Sequence, residues 1–257
     1  LTEHELLEGK RSNTALDDTA QKLGVIASSS ARIYAPPLLA SHLGADAAAA
    51  MLAVELSAPG KTSILLDIGT NTEVVISVGD RIVAASCPAG PAFEGGLVRN
   101  GVPACPGAID SVRAIGDAFQ YTTVGDEEPV GICGSGLIDL LSELARTGQM
   151  TELGVFSEKR GEIGLTEQPK LSLSREDVSQ LAQAKAASYC GQLILLRQLG
   201  LDPSRIERVF LAGGFAHAID LKAAIAIGFL APYRVENIKQ VGNAALEGAR
   251  QLLVDVT

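Results

Sequence analysis

The stretch that decides the fold reads Leu65-Leu66-Asp67-Ile68-Gly69-Thr70-Asn71-Thr72-Glu73-Val74-Val75-Ile76. Two apolar runs flank a Gly-Thr-Asn-Thr turn, a pattern that predicts a β-hairpin with buried strands. Gly69 lets the backbone approach a ligand closely, and successive N–H groups of a turn can surround an anion. The stretch therefore predicts a phosphate-binding hairpin, and the alternative at this stage is an ordinary hairpin with Asn71 in its turn.

The side chains of this hairpin have the chemistry that a magnesium–phosphate ligand requires. The hydroxyl groups of Thr70 and Thr72 can donate hydrogen bonds to phosphate oxygens. Asp67 can hold Mg²⁺ through water, because Mg²⁺ keeps most of its hydration shell in proteins. We therefore predict Asp67 as a catalytic and metal-binding residue, and we predict phosphate contacts from Gly69, Thr70, Asn71 and Thr72.

Strand and helix patterns alternate on both sides of the hairpin. Short apolar runs predict strands, and apolar residues at helical spacing predict helices. Ser174 followed by Asp177 is close to a capping box and marks the start of the longest predicted helix. The alternation predicts an α/β fold. The predicted strands are 62–67, 73–78, 81–86 and 208–212, and the predicted helices are 14–23, 40–56, 137–146, 175–199, 221–227 and 244–253.

A Gly-Gly corner follows the last predicted strand, in the run Val209-Phe210-Leu211-Ala212-Gly213-Gly214-Phe215. Two glycines between a strand and a helix leave flat space for an adenine or a ribose against the backbone. We predict that Gly213, Gly214 and Phe215 border an adenosine, although such corners are common in α/β proteins. His217 is interpreted as a surface residue without a catalytic role.

Two further glycine-rich motifs each have two interpretations. Gly134 and Ser135 open a predicted helix, so their free N–H groups either bind phosphate or belong to a helix start packed against the hairpin. Glu94 stands between Gly90 and Gly95, and it is either a carboxylate that orients metal or water or a solvated loop residue. We predict Gly134 and Ser135 as cofactor-binding residues and Glu94 as a catalytic residue.

The composition limits the class of protein. The chain has 257 residues, of which 47% are hydrophobic and 20% are charged, so it is globular rather than disordered. The net charge of −9 disfavours nucleic acid as a partner, since both surfaces are negative. No apolar run approaches the ~18 residues that a membrane span needs. Cytoplasmic localisation without a membrane partner is the expectation.

The four cysteines are too far apart for a metal site that this chain forms alone. Cys87, Cys105, Cys133 and Cys190 form no CxxC pair and have no histidine cluster nearby. Their spacing is unlike that of zinc or iron–sulfur motifs. We expect them to be reduced, buried thiols.

The order of the motifs resembles the second half of the superfamily of acetate kinases, sugar kinases, heat-shock chaperones and actin. Within it, seven blocks are similar to the C-terminal ATPase region of the reductive activators of corrinoid proteins, over about residues 33–253. The blocks are Leu66-Asp67-Ile68-Gly69-Thr70-Asn71, Ala89-Gly90-Pro91-Ala92-Phe93-Glu94-Gly95, Pro106-Gly107-Ala108-Ile109, Gly131-Ile132-Cys133-Gly134-Ser135-Gly136-Leu137-Ile138-Asp139, Ala182-Gln183-Ala184-Lys185-Ala186-Ala187, Leu211-Ala212-Gly213-Gly214-Phe215 and Val241-Gly242-Asn243-Ala244-Ala245.

The resemblance implies a fold and a function. The fold is the C-terminal half of an actin-like, ribonuclease H-like ATPase, with a leading segment 1–32 and a second lobe 33–257 in which 88–130 and 148–173 are loop or insert regions. The activity is ATP-dependent return of a corrinoid protein from Co(II) to Co(I), with ATP and Mg²⁺ as ligands. The implied partner is a corrinoid methyltransferase or a corrinoid iron–sulfur protein, and a homodimer is compatible with the resemblance.

The sequence departs from the family pattern in two ways. The first phosphate loop, a second Asp-x-Gly-Thr hairpin, is expected before Leu1, and so is the four-cysteine motif of a [2Fe-2S] domain. We therefore expect the chain to be the C-terminal part of a longer protein, and to bind ATP poorly by itself.

Three other functions remain open from the sequence. A small-molecule kinase of the same superfamily would need a carboxylate base, for which Glu94 and Asp110 are the candidates. A metal- or partner-binding module would keep the fold without turnover. An activator of a radical dehydratase would hold a cluster on paired cysteines, and the scattered cysteines here argue against it.

Overall fold

A computed structural model describes residues 8–9, 14–40, 42–116, 118–157, 160–168, 170–214 and 216–254. The chain divides into two compact units, one made of Leu1–Ala58 with Asn243–Thr257 and the other of Pro59–Gly242. The predicted division into segments 1–32 and 33–257 stays a prediction. In chain order, the strands are β1 (Leu16–Thr19), β2 (Arg32–Ala35), β3 (Ser63–Ile68), β4 (Thr72–Val78), β5 (Arg81–Cys87), β6 (Ala108–Ile115), β7 (Ala118–Thr123), β8 (Gly131–Ile132), β9 (Glu162–Thr166), β10 (Leu171–Ser174), β11 (Arg208–Ala212) and β12 (Ile238–Gly242), and the helices are α1 (Ala20–Leu23), α2 (Ala45–Ala53), α3 (Gly134–Arg146), α4 (Arg175–Gln198), α5 (Leu221–Ala226) and α6 (Ala244–Val254).

A five-stranded mixed sheet organises the larger unit. Its strand order is β12-β11-β3-β4-β5. β3, β4 and β5 form an antiparallel meander, as predicted, while β11 and β12 add in parallel on the other side of β3. The parallel strands all end at the same edge of the sheet, which is therefore where the loops that follow β3, β11 and β12 meet.

Burial explains why the central strands are continuous apolar runs. Ile64, Leu65 and Leu66 on β3 are at most 1% exposed, although their side chains alternate between the two faces of the sheet. A strand that is covered on both faces needs apolar residues at every position. Helix α4 packs against β4 and β5, and Gly191 on this helix is the point where Cys87 at the end of β5 comes closest. A larger residue at position 191 would collide with the Cys87 sulfur.

A smaller sheet, in the order β7-β6-β8, packs against helix α3. Because β8 pairs only with the first residues of β6, acidic side chains of α3 accept hydrogen bonds from backbone N–H groups farther along that edge of β6. Asp139 accepts from the backbone N–H of Val112 at 3.2 Å, and Glu143 accepts from that of Ala114 at 2.8 Å. Two buried carboxylates thus occupy the place of a neighbouring strand.

The two carboxyl groups have opposite pKa shifts. The Arg146 guanidinium donates to both oxygens of Glu143, at 2.6 and 3.0 Å, and this lowers the pKa of Glu143 to about 2. Burial raises the pKa of Asp139, against the hydrogen bonds that it accepts from Ser111 and Val112. One oxygen of Asp139 has no hydrogen-bond partner within the described part of the chain. Of these two carboxyl groups, Glu143 is the one that adds stability when it is ionised.

Replacing Glu143 with glutamine should destabilise the fold by about 1–2 kcal/mol near neutral pH, because an amide cannot serve both the Ala114 N–H and Arg146. The folded-state pKa lies below the usual 4.5, so the unfolded chain binds the proton more readily and the stabilisation is lost as pH falls from about 4.5 towards about 2. Urea unfolding at pH 7 and pH 3 should show the difference between variant and wild type shrinking in acid. The exposed Glu152→Gln serves as the control, and a difference that grows in acid would contradict this account.

The predicted capping box at the start of α4 is confirmed. The Ser174 hydroxyl accepts from the Asp177 backbone N–H at 3.1 Å, and the Asp177 carboxylate accepts from the Ser174 backbone N–H at 2.8 Å. Helix α4 ends at Gln198, and Gly200 beyond it has a left-handed φ of 65°. The hairpin β9–β10 lies in the predicted insert 148–173 except for its last residue, Ser174, and was not predicted, since its strands are short and partly polar.

The smaller unit contains the hairpin β1–β2 and helices α2 and α6. The predicted helix at 14–23 is wrong over its first half, because Leu16–Thr19 is a strand that pairs antiparallel with Arg32–Ala35. An ion pair of 2.6 Å between Asp17 and Arg32 supports this pairing, which no local sequence pattern predicts. Helix α2 is shorter than the predicted 40–56. It packs against α6 at Gly248, where a Cβ would collide with the Ala49 carbonyl.

Two general expectations can be compared with the structure. Within the described ranges, no helix is both long and apolar enough to cross a membrane. All four cysteines are free thiols, but the expectation that they are buried holds only for Cys87 and Cys133. Cys105 is partly exposed and Cys190, on α4, is exposed.

Candidate functional site

The predicted phosphate hairpin is the β3–β4 connection. Asp67 is the penultimate residue of β3, and the Gly69 N–H donates to the Asn71 carbonyl at 3.0 Å to close the turn. Thr70 and Asn71 are exposed at the tip, whereas Thr72, the first residue of β4, is 1% exposed. The tip of the turn is thus exposed to solvent at Thr70 and Asn71. A phosphate contact from the Thr72 side chain stays a prediction.

The Gly-Gly corner lies directly beside this hairpin. Ala212 at the end of β11 pairs with Asp67 in the sheet, and Gly213 follows it. The Gly213 N–H donates to the Gly242 carbonyl at 3.0 Å, which joins the end of β12 to the same edge. Ligands of open α/β sheets bind outside the carboxyl ends of the parallel strands. The register of β3 and β11 therefore brings the two predicted motifs together, although they are far apart in the sequence.

Gly213 is required at this corner for two reasons. Its φ is 112°, a conformation that other residues rarely adopt, and a Cβ would collide with the Ile68 carbonyl oxygen. Gly214 is exposed, and a Cβ there would meet nothing within 4 Å. Phe215, the third predicted adenosine residue, lies outside the described residues. His217 is exposed, as expected, with Nδ1 3.0 Å from the Gly214 carbonyl.

Glu94 reaches the tip of the hairpin. The Thr70 hydroxyl donates to Glu94 Oε2 at 2.9 Å, and the Gly90 N–H donates to the Thr70 carbonyl at 2.7 Å. A Cβ built on Gly69 would lie 3.5 Å from Glu94 Oε1. The structure thus brings the predicted catalytic carboxylate to the predicted phosphate loop. Asp110, the other carboxylate considered as a kinase base, lies on β6 and accepts from Thr122 at 2.6 Å.

A third carboxylate lies next to Asp67. Glu73 on β4 is the register partner of Asp67 on β3, and it accepts a 3.0 Å hydrogen bond from the Ser86 hydroxyl on β5. Directly paired residues of antiparallel strands project from the same face of the sheet. Glu73 was not among the predicted site residues, but the hairpin could have indicated it, because the turn length sets which residues pair.

Gly134 and Ser135 are buried at the start of α3. The N–H of Cys133 donates to the Ile109 carbonyl at 3.0 Å, and a Cβ on Gly136 would collide with that same carbonyl. Ser135 is 3% exposed. These contacts favour the packing interpretation, with the helix start held against β6. A contact between Gly134 or Ser135 and phosphate stays a prediction.

Helix α5, which follows the Gly-Gly corner, is held at both ends. Asp220 caps its start by accepting from the N–H groups of Lys222 and Ala223, at 2.8 and 2.9 Å. The Lys185 ammonium group, on α4, donates to the Ile227 carbonyl at the other end at 2.6 Å. Burial lowers the pKa of this half-buried lysine. The short helix therefore keeps the corner in a defined position relative to α4.

The residues at this edge fit a magnesium nucleotide better than a bare metal ion. Within the described residues, no group of three or more His, Cys, Asp or Glu side chains could hold a metal by itself. Mg²⁺ in nucleotide sites is typically held by one or two carboxylates together with phosphate oxygens and water. Asp67 and Glu73 would be the carboxylates of such a site, and the backbone N–H groups of the exposed turn would face the phosphates.

Comparison with known proteins gives concordant matches. Residues 61–257 match the family described as the C-terminal domain of RACo, the ASKHA domain. The corrinoid activation enzyme RamQ of Eubacterium limosum is 29% identical over 242 residues, which cover 85% of this chain and 40% of that protein. The reductase of the Co(II) methylated amine-specific corrinoid protein from Methanosarcina barkeri is 29% identical over 249 residues, covering 88% of this chain and 45% of that protein.

A solved structure agrees with these matches. The reductive activator for corrinoid, iron–sulfur protein superposes with a TM-score of 0.83 at 33% identity, covering 93% of this chain and 41% of that one. The predicted actin-like ATPase fold with a mixed sheet is confirmed. The chain spans 40% to 45% of the length of the curated relatives it matches.

Proposed function

Because this chain belongs to the family of C-terminal ASKHA domains of RACo, the reductive activators of corrinoid proteins, we propose that it is the nucleotide-binding part of an ATP-dependent reductive activator. The complete protein returns a corrinoid protein from the inactive Co(II) state to Co(I). One observation supports the proposal: Ala212 pairs with Asp67 in the β3–β11 register, so the proposed phosphate and adenosine sites would lie at one edge of the sheet.

Each residue at this edge has a role in the proposal. Asp67 binds Mg²⁺ through water, and the ion, when bound, neutralises charge on the phosphate oxygens. The turn residues Gly69, Thr70, Asn71 and Thr72 contact the phosphates. Glu94, held at the turn by Thr70, orients the water that attacks the terminal phosphate.

The adenosine lies against the Gly-Gly corner. A Cβ on Gly214 would meet nothing within 4 Å, so this glycine leaves space for the nucleoside, and Phe215 borders the base or the ribose. Gly134 and Ser135 remain candidate phosphate contacts through the helix start, although both are buried.

The proposed partners come from the relatives. Two of them are named for the corrinoid protein they act on, a methylated amine-specific corrinoid protein and a corrinoid, iron–sulfur protein. We propose a corrinoid methyltransferase or a corrinoid iron–sulfur protein as the partner of this protein too. In this proposal the electron enters through a [2Fe-2S] centre in an N-terminal part of the complete protein. The protein acts in the cytoplasm. A homodimer is one assembly to test.

The test uses the full-length protein with a corrinoid protein prepared as Co(II) and a low-potential electron donor. Visible absorption should show Co(I) accumulating when Mg-ATP is added, and not with ADP or without nucleotide. Equal rates of Co(I) formation with and without ATP would overturn the proposal. Transfer of phosphate from ATP to a small molecule in a substrate panel would favour a kinase instead.

A further inference from the structure

Glu94 lies on a loop that is closed on itself by glycines. A Cβ on Gly95, whose φ is 90°, would lie 2.5 to 2.7 Å from backbone atoms of Val102. A Cβ on Gly101 would lie 2.9 Å from the Gly95 Cα. The backbone around Gly95 therefore lies in close contact with the backbone at Gly101 and Val102. The segment between Gly95 and Gly101 includes Leu97, which has a strained φ of 66°. A segment with this geometry needs outside contacts to stay in place.

Contacts from several elements hold this loop. Before Glu94, the Phe93 ring packs edge-on against Phe229, with centroids 4.9 Å apart. After it, the Asn100 side-chain oxygen accepts from the Ser172 N–H at 3.0 Å, and the Asn100 carbonyl accepts from the Ile132 N–H at 2.8 Å. These anchors lie at the base and on the far side of the loop.

A further anchor comes from the start of α4, in addition to the 3.1 Å ion pair between the Arg99 side chain and Glu162 on β9. Asp177 is 3% exposed, and its Oδ1 accepts from the Arg99 backbone N–H at 2.8 Å. Its Oδ2 accepts from both the backbone N–H and the hydroxyl of Ser174, at 2.8 and 2.6 Å. The capping box needs only the second oxygen. Oδ1 faces the loop and, by accepting from the Arg99 N–H, holds the backbone next to the buried Val98.

We propose that Asp177 is a positioning residue for Glu94: by accepting from the Arg99 amide, it holds the loop closed and so keeps the Glu94 carboxylate at Thr70 on the phosphate hairpin. The inference rests on the proposed role of Glu94 in ATP hydrolysis. Asp177 itself does not touch the nucleotide. Its effect is on the orientation of the catalytic carboxylate, so it should alter turnover more than nucleotide binding.

The experiment compares Asp177→Ala with Ser174→Ala in the full-length protein. Both substitutions break the capping box, but only the first removes the acceptor for Arg99, so Ser174→Ala is the matched control. Asp177→Ala should lower kcat for ATP hydrolysis by about 10- to 100-fold relative to Ser174→Ala, with KM for ATP within about twofold. Asp177→Asn, which keeps the side-chain volume and one carbonyl oxygen, is a second and milder variant whose kcat should fall between the two.

Two further measurements separate positioning from general destabilisation. The Arg99 amide should exchange its hydrogen about 10-fold or more faster in Asp177→Ala than in Ser174→Ala, whether or not nucleotide is present. Adding Asp177→Ala to Glu94→Gln should lower kcat no further than Glu94→Gln does alone, because a residue that acts through Glu94 has nothing left to position.

The outcomes distinguish the two proposals. If Glu94→Gln leaves kcat unchanged, the proposed role of Glu94 is wrong and the inference fails with it. If Glu94→Gln lowers kcat but Asp177→Ala matches Ser174→Ala in turnover, or multiplies the effect of Glu94→Gln, only the inference about Asp177 is overturned. An unchanged exchange rate at Arg99 in Asp177→Ala would overturn it as well.

Discussion

Replacing Asp67 with alanine is expected to lower ATP hydrolysis by the full-length protein by about 100-fold or more, while the fold stays intact. The magnitude is typical of losing one group that stabilises charge in the transition state. Asp67 lies at the end of β3, half-buried, and its partner position on β11 is next to Gly213. In the proposed site its carboxylate would hold a hydrated Mg²⁺ against phosphates on the Gly69 turn.

The measurement is steady-state ATP hydrolysis together with Co(I) formation, and circular dichroism checks the fold. Asp80→Ala is the matched control, since Asp80 is an exposed aspartate in the β4–β5 turn at the opposite end of the same meander. Asp80→Ala should leave both rates unchanged. Wild-type ATP hydrolysis in Asp67→Ala would remove Asp67 from the site.

Replacing Gly213 with alanine is expected to destabilise the larger unit by about 3 kcal/mol or more, which can prevent accumulation of folded protein. Two costs add at this position: the strain of a φ of 112° in a residue with a side chain, and the collision of the new Cβ with the Ile68 carbonyl. The Ile68 carbonyl belongs to β3, so it cannot move away without disturbing the central strand of the sheet.

Chemical denaturation of the isolated chain measures this effect, with Gly214→Ala as the neighbouring control. Gly214 has no atom within 4 Å of a built Cβ, so its substitution should leave the unfolding midpoint nearly unchanged. If the nucleotide lies where we propose, Gly214→Ala should still weaken ATP binding by the full-length protein. Equal stability of the two variants would contradict the close packing of Gly213 against β3.

The strands of the central sheet were predicted to within one residue, with one exception. β3, β4, β5 and β11 are runs of apolar and β-branched residues bounded by turn residues, and these signals are local. β12, Ile238–Gly242, was missed because its sequence alternates with polar residues and becomes a strand only by pairing with β11. The hairpin β1–β2 was missed for the same reason, since its two strands are short and meet across a long connection.

The features of the candidate site also divide into those that local sequence predicts and those that only the tertiary structure shows. The Gly69 turn, the Gly213 corner and the capping box at Ser174 are predictable because each depends on residues within a few positions of one another. The neighbourhood of Asp67 and Gly213 required the parallel register of β3 and β11. The contact of Glu94 with Thr70 required the closed loop around Gly95, which depends on close backbone approaches that no sequence pattern reports.

Local sequence patterns were therefore sufficient to predict four strands of the central sheet, the Gly69 turn and the capping box, because turns, caps and buried strands follow from the conformational preferences of neighbouring residues. The tertiary structure alone decided which of these elements share a site. It placed Glu94 at the β3–β4 turn, buried Ser135 at the start of α3, and gave Asp177 a second partner in Arg99. Hydrogen bonds and packing contacts between distant segments form only when folding brings those segments together. Their partners therefore cannot be inferred from the spacing of residues along the chain.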